Sequence, residues 1–254
     1  MSALLNILLL LQGFNPSVAF GEKSLSTLDI AAEDAAGPWS YKDGTGFAND
    51  LVVAAFKAAG VAVHLKIYPY SRCKYLAVEG LVAACFSMSP EAELKDAIIF
   101  PKKALFALYS DLYQNKNKRI QVTAEGKLPK GTTIGIVTGY EYPEEILNLK
   151  KLGIVLQEGR SEETNLKKLA MGRIDLVVVN NNETKPAKKI LKNADALTEV
   201  EMLQRVAKSN AYIGFSKKHA DGMKALENFN RGYKIIQENG IEKSILKKWI
   251  RKTS

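Results

Sequence analysis

At 254 residues the chain is long enough for about two domains of ordinary size, each with its own core. A hydrophobic share of 46% and a charged share of 25% are those of a folded soluble protein, and they exclude a disordered, collagen-like or disulfide-scaffold chain. The net charge is +9, and the whole surplus falls in residues 185–254, where sixteen Lys and Arg stand against seven Asp and Glu. Those bases alternate with acids and apolar helix positions and lack an aromatic-rich basic strand, so they read as a solvated face rather than a nucleic-acid surface. Attraction to an anionic partner stays open.

The longest apolar stretch, residues 3–11, is shorter than the ~20 residues that a bilayer crossing needs. It leads through Gln12, Gly13, Asn15 and Pro16 to the small residues Ser17-Val18-Ala19, the order of a secretory signal peptide spanning 1–19 and cut before Phe20. No Lys or Arg precedes the run, so the α-amino group has to serve as its positive end. Phe rather than Cys at the first mature position predicts export without a lipid anchor. Cys73 and Cys85 are an even count in a chain bound for an oxidising compartment, which predicts a disulfide, the alternative being two buried thiols.

From Ser26 onward short β-like runs alternate with helical ones, the pattern of a sheet covered by helices. Leu28 and Ile30 open a strand, and Gly37-Pro38 forces a loop. Phe47, Leu51, Ala54, Ala55 and Ala58 line one face of a helix that Gly60 stops. Val61, Val63, Leu65 and Ile67 alternate as a strand. A helix over 71–79, a strand over 82–86 and an apolar run over 97–100 complete a first α/β unit. A long strand over 104–113 precedes lysine-rich polar segments. A second unit follows: strand 133–137, helix 143–152 ended by Gly153, strand 154–156, helix 161–171 closed by Gly172, and strand 174–179. One further strand, 210–215, leads into two helices, marked by Leu226, Phe229, Tyr233 and Ile236 and by Ile245, Trp249 and Ile250.

Chemistry is sparse. Two histidines, His64 and His219, leave few general-base or metal mechanisms. There is no nucleophile elbow and no dinucleotide fingerprint, and in Gly126 to Thr133 a threonine stands where a phosphate-binding loop needs lysine. No cofactor and no metal site is expected.

Four segments, in this order and spacing, carry a resemblance: Gly46-Phe47-Ala48-Asn49-Asp50-Leu51, Ser87-Met88-Ser89-Pro90-Glu91, Gly135-Ile136-Val137-Thr138-Gly139, and Leu169-Ala170-Met171-Gly172-Arg173-Ile174-Asp175. Through them nearly all the mature chain resembles the family 3, polar amino-acid-type solute-binding proteins of ABC importers. The resemblance implies a bilobed α/β fold, the periplasmic-binding-protein type II fold, with two lobes joined by two hinge crossings. Lobe 1 would comprise 22–112 plus 208–254 and lobe 2 residues 113–207. It implies a periplasmic monomer that closes on a small polar solute and hands it to an ABC permease or a membrane sensor.

In such sheets ligands gather at the carboxyl ends of strands. That nominates the loops 33–41, 70–72, 87–89 and 139–142, and Asn180 at the end of its strand. The residues expected at the ligand are Glu33, Trp39, Tyr41, Arg72, Ser87, Ser89, Tyr140 and Asn180. Two positions depart from the family pattern. Ala92 stands where the family's arginine grips an α-carboxylate, and Asn180 where its aspartate takes an α-amino group. Charge-assisted hydrogen bonds contribute roughly 1.5 to 3 kcal/mol each, so the chain either binds something other than an ordinary amino acid or has rebuilt the clamp. Arg72 is either a replacement donor or a helix-surface arginine. Trp39 and Tyr41 either stack on the ligand or pack in the core, and Glu33 or Asp34 either meets a cation or is solvated. The rival reading is an enzyme on the same fold, a cyclohexadienyl or prephenate-type dehydratase with Glu33 as acid. A third reading is an interaction module without a ligand.

Overall fold

The computed structural model describes residues 27–124 and 127–254. The proposed signal peptide, 1–19, lies outside the described residues. Among the described residues eight strands form one continuous path of pairing, β2-β1-β3-β9-β5-β8-β6-β7, and a ninth, the short β4, pairs with β9 off that path.

The first lobe is built on β1 (Thr27–Glu33), β2 (Ala62–Tyr68), β3 (Ala84–Met88) and β4 (Ile98–Ile99). β1 pairs in parallel with both β2 and β3, as strands joined by crossover helices do. One crossover is α1 (Phe47–Ala58), which presents Phe47, Leu51, Val52, Ala55 and Phe56 to the sheet and ends where Gly60 adopts φ 75°. The other is α2 (Tyr70–Val78), on the opposite face. The chain returns at its end to cover α1 with α6 (Gly222–Glu238) and α7 (Ile241–Thr253), whose Leu226, Phe229, Tyr233, Ile236 and Trp249 join the same core. α6 approaches α1 so closely at Gly232 that a Cβ there would stand 1.8 Å from the carbonyl oxygen of Ala55.

The second lobe holds β6 (Thr133–Val137), β7 (Val155–Gly159) and β8 (Leu176–Asn181), with α3 (Glu144–Leu147), α4 (Glu162–Ala170) and α5 (Ala187–Asn193) around them. Ser161 caps α4 by accepting from the Thr164 N–H at 3.1 Å. Two strands serve both lobes. β5 (Phe106–Asn115) and β9 (Val200–Ser216) are antiparallel to each other from Phe106 to Asn115; the far end of β9 pairs with β3 and β4, while β5 pairs with β8. The bilobed α/β fold with two crossings follows from that arrangement.

Several elements differ from expectation. The strand placed at 82–86 begins at Ala84, because the N–H groups of Leu81 and Val82 are engaged by the Leu76 carbonyl that ends α2. The helix placed at 143–152 is one α-turn followed by a 3-10 stretch, Asn148–Leu152; Ile146 alone is buried along it, too little apolar face to sustain a longer helix. The strand read at 210–215 is seventeen residues long, and α5 was missing from the expectation. The basic stripe Lys243, Lys247 and Arg251 lies exposed along α7. Among the described residues no helix is long and apolar enough to cross a membrane.

Cys73 on α2 and Cys85 on β3 are bonded to each other, and both are fully buried. The bond closes a loop of 12 residues' separation, for which constraint of the unfolded chain is worth roughly 3 kcal/mol. Reduction with dithiothreitol is therefore expected to lower the unfolding free energy by about 2 to 4 kcal/mol in urea titration. A Cys73→Ser, Cys85→Ser double variant should unfold at the same midpoint with and without reductant. An unchanged wild-type midpoint under reductant contradicts the assignment.

Candidate functional site

The carboxyl ends of β1, β3, β6 and β8 converge between the lobes, where they enclose a cavity of about 30 Å³. That is room for roughly two water molecules. Glu33, Trp39, Ser87, Ser89, Tyr140 and Asn180 line it, with Phe106, Leu108, Ser110, Glu141, Ser209 and Ala211. A wider recess of about 310 Å³ adjoins it through Ser89, Glu141 and Ser209 and adds Glu91, Tyr142 and Tyr212.

Glu33 ends β1 and is 3% exposed. The Tyr140 hydroxyl, from the loop after β6, reaches across the cleft and donates to its Oε1 at 2.5 Å. Burial pushes the Glu33 carboxyl up to about 8; the Tyr140 hydrogen bond and Lys185 pull it down, and Glu162 and Asp34 push it up again. Glu33 therefore holds its proton at neutral pH. Tyr140 is held well above the usual phenol value, first by burial and then by Glu33 and Glu162, so its O–H remains a donor.

Glu141, next to Tyr140, reaches the other way. Its Oε2 accepts from the Tyr70 hydroxyl at 2.5 Å and from the Ser89 N–H at 3.2 Å, and its Oε1 lies 2.9 Å from Lys74 Nζ. Burial and Glu141 together raise the Tyr70 hydroxyl well above its usual value. Each lobe thus offers a buried carboxyl to a tyrosine of the other.

Trp39 forms a third crossing. Its indole N–H points to Asn182 Oδ1 at 3.2 Å and Thr184 Oγ1 at 3.1 Å, in the turn after β8. Lys185 Nζ sits 4.3 Å from the Trp39 ring centroid and 2.6 Å from Glu162 Oε2, a fully desolvated ion pair. The other Glu162 oxygen accepts from the Asn180 N–H at 2.7 Å, and the Asn180 side chain accepts from Ser110 Oγ at 2.7 Å. Asn180 is thereby fixed facing the cavity. Ser87 is held at φ 67°, an uncommon conformation for a residue with a Cβ, and its buried hydroxyl has no hydrogen-bond partner among the described residues.

Six of the eight residues expected at the ligand meet around this cavity. Tyr41 and Arg72 do not. The Tyr41 ring packs 6.4 Å from that of Trp249. Arg72 is exposed on α2 with its guanidinium 5.3 Å from the Tyr75 ring centroid. Ala92 lies in a 3-10 turn, Ala92–Leu94. Sequence reasoning missed Glu141, although it lies inside a nominated loop, and it missed Glu162, Lys185 and Ser110. A signal for Glu141 was available in its place beside Tyr140. Nothing in the sequence announces a Glu162–Lys185 pair 23 positions apart. Among the described residues no three His, Cys, Asp or Glu side chains form a group that could hold a metal ion.

No protein-family model matches the chain, and no curated protein sequence does. Solved structures do match its fold. An ancestral arginine-binding protein bound to arginine superposes with a TM-score of 0.71 at 21% identity, covering 88% of this chain and 98% of that one. A histidine kinase sensor domain similar to periplasmic binding proteins gives 0.75 at 19% identity, covering 89% and 96%. An ancestral amino-acid-binding protein described as a precursor of cyclohexadienyl dehydratase gives 0.69 at 17% identity, again covering 89% and 96%.

Glu33 makes stability depend on pH with a definite sign. Its carboxyl ionises near 4.5 when unprotected and near 8 in place. Stability is then greatest on the acid side and falls as pH rises from about 4.5 to 8, by a total on the order of 4 kcal/mol. Glu33→Gln should flatten that slope and melt higher than wild type at pH 8.5, with little difference at pH 5. Parallel melting curves for the two proteins across that range contradict the assignment.

Proposed function

We propose that this chain is a solute-binding protein that closes two lobes over a small polar solute, an amino acid or related compound held by an atypical clamp. The observation that supports it most directly is the cavity between the lobes, where polar groups from both sides converge on one place and Ser87 Oγ lacks a partner. The hinge lies in β5 and β9, with lobe 1 as 22–112 plus 208–254 and lobe 2 as 113–207. A solute shifts the balance toward the closed form only by the difference in its affinity for the two forms. Glu33, Trp39, Ser87, Ser89, Tyr140 and Asn180 are its contacts in this reading.

The Cys73–Cys85 bond fits an oxidising compartment, and the periplasm is the location we assign, reached through the signal peptide at 1–19. The partner is an ABC permease or a membrane sensor, and the likenesses to an arginine-binding protein and to a kinase sensor domain accord with either.

One observation favours an enzyme instead. Glu33 is protonated at neutral pH within the cavity, as a general acid must be. Against it, a prephenate-type acid carries two carboxylates, and the lining that would receive them includes Glu141 and lacks Lys and Arg among the described residues.

The deciding measurement is a melting-temperature screen of the purified protein against a panel of amino acids, amines and small organic acids, followed by small-angle scattering with the best hit. A specific solute at 100 times its dissociation constant should add about 2.7 kcal/mol of stability and reduce the radius of gyration. Trp39→Ala should weaken that solute at least tenfold. Turnover of a cyclohexadienyl acid decides for the enzyme. A panel that leaves both melting and scattering unchanged sinks the capture reading.

A further inference from the structure

We propose that the cleft takes a small amine that carries no carboxylate, with its ammonium group seated among Glu33, Trp39, Tyr140 and Ser87 and its body directed toward Glu141 and Glu91. The proposal rests on the solute-capture reading and narrows it to one chemical class.

Charge is segregated. The chain has a net charge of +9, yet among the described residues the inner cavity and the adjoining recess are lined by Glu33, Glu141 and Glu91 and by no Lys or Arg. Two lysines whose charges act on these carboxyls are already committed, Lys74 to Glu141 at 2.9 Å and Lys185 to Glu162 at 2.6 Å. The Ser89 N–H, a natural donor to an anion, is taken by Glu141. A ligand carboxylate in the recess would face the carboxyls of Glu91 and Glu141 with no guanidinium or unpaired ammonium in the lining to meet it, so a zwitterionic amino acid loses at one end what it gains at the other.

An ammonium finds the opposite. Ser87 Oγ is a buried hydroxyl oxygen without a partner, able to accept one of its N–H bonds. Tyr140 lines the same cavity with its aromatic ring, while the Trp39 ring, 4.6 Å from that of Phe106, already carries the Lys185 ammonium at 4.3 Å and so bounds the seat. The inner cavity, about 30 Å³, suits an ammonium and the carbon it is attached to rather than a whole amino acid, while the recess of about 310 Å³ has space for the rest.

The fit implies proton linkage. Glu33 faces the Tyr140 hydroxyl, the Lys185 ammonium and the carboxylates of Glu162 and Asp34, and ionises near pH 8 in place. A cation beside it favours the ionised form, so binding near pH 7 releases close to one proton. Affinity then rises about tenfold per pH unit from 6 to 8 and levels off above.

The test is titration calorimetry of the full chain at pH 6, 7 and 8, in two buffers of different ionisation enthalpy. The probes are 1,4-diaminobutane, butylamine, L-lysine, L-arginine and L-glutamate. Expected are binding of at least one of the two amines, at least tenfold weaker binding of all three amino acids, and the stated pH slope with proton release. Glu33→Gln should weaken the amine at least 100-fold and abolish the slope, and Ser87→Ala should weaken it about tenfold; circular dichroism confirms that both variants fold. Amino acids binding while both amines are silent overturns this proposal and leaves solute capture intact. Silence of all five probes overturns the proposal, and the broader panel of the preceding section then decides capture separately. Amine binding that is unchanged in folded Glu33→Gln overturns the placement of the ammonium.

Discussion

β5 and β9 run antiparallel along each other, and every other part of the molecule hangs from that pair. β9 gives its carboxyl-terminal end to β3 and β4 and its amino-terminal portion to β5, and β5 in turn pairs with β8. Two strands therefore cross between the lobes where a single crossing would leave their relative rotation undefined. The same pairing fixes where the strand ends of both lobes face each other, and hence where the cleft lies. Asp111 on β5 accepts two hydrogen bonds from Arg205 on β9, at 2.8 and 3.1 Å, a forked ion pair whose guanidinium also stacks 3.9 Å from the Tyr109 ring centroid. That interaction ties the crossing strands close to the register irregularities between Ser110 and Asp111 and between Leu112 and Tyr113, where a bend costs less ladder hydrogen bonding.

Across the cleft the closed arrangement depends on reciprocity. A buried carboxyl needs a donor, and each lobe supplies the other's: Tyr140 to Glu33, Tyr70 to Glu141. Trp39 adds an indole N–H to the turn at Asn182 and Thr184. Parting the lobes would break all three sets and rehydrate the carboxyls at once, so in the proposed capture the passage between open and closed forms would be all-or-none.

The two departures from the family pattern gain a physical meaning in this setting. With Ala92 in a peripheral turn and Arg72 on the outer face of α2, neither position supplies a cation to the cleft. Asn180 is neutral, its backbone N–H engaged by Glu162 and its side-chain oxygen by Ser110 on the crossing strand β5. The carboxyl groups that border the cleft are those of Glu33, Glu141 and Glu91, on different segments from those two positions.

Periodicity made α1, α4, α6 and α7 legible, since each has an apolar face of period 3.6 bounded by a glycine or a capping serine. Alternation or apolar runs did the same for β1, β2, β6 and β8. The first ten residues of β9 were not legible, because Glu201, Gln204, Arg205 and Lys208 leave that stretch polar and half-solvated; its strand state comes from pairing with β5, a contact about 90 residues distant. The sequence by itself determined the order of elements apart from α5, the one possible partner of Cys73 if it is bonded, and the loops that would border a cleft, because these depend on local pattern, residue count and chain direction. Only the tertiary structure decided that Glu33 and Glu141 are buried and crossed by tyrosines, that Lys185 is spent on Glu162, and that Arg72 and Tyr41 face elsewhere. Burial and side-chain direction between lobes are properties of how two distant segments meet, and no local window of residues contains them.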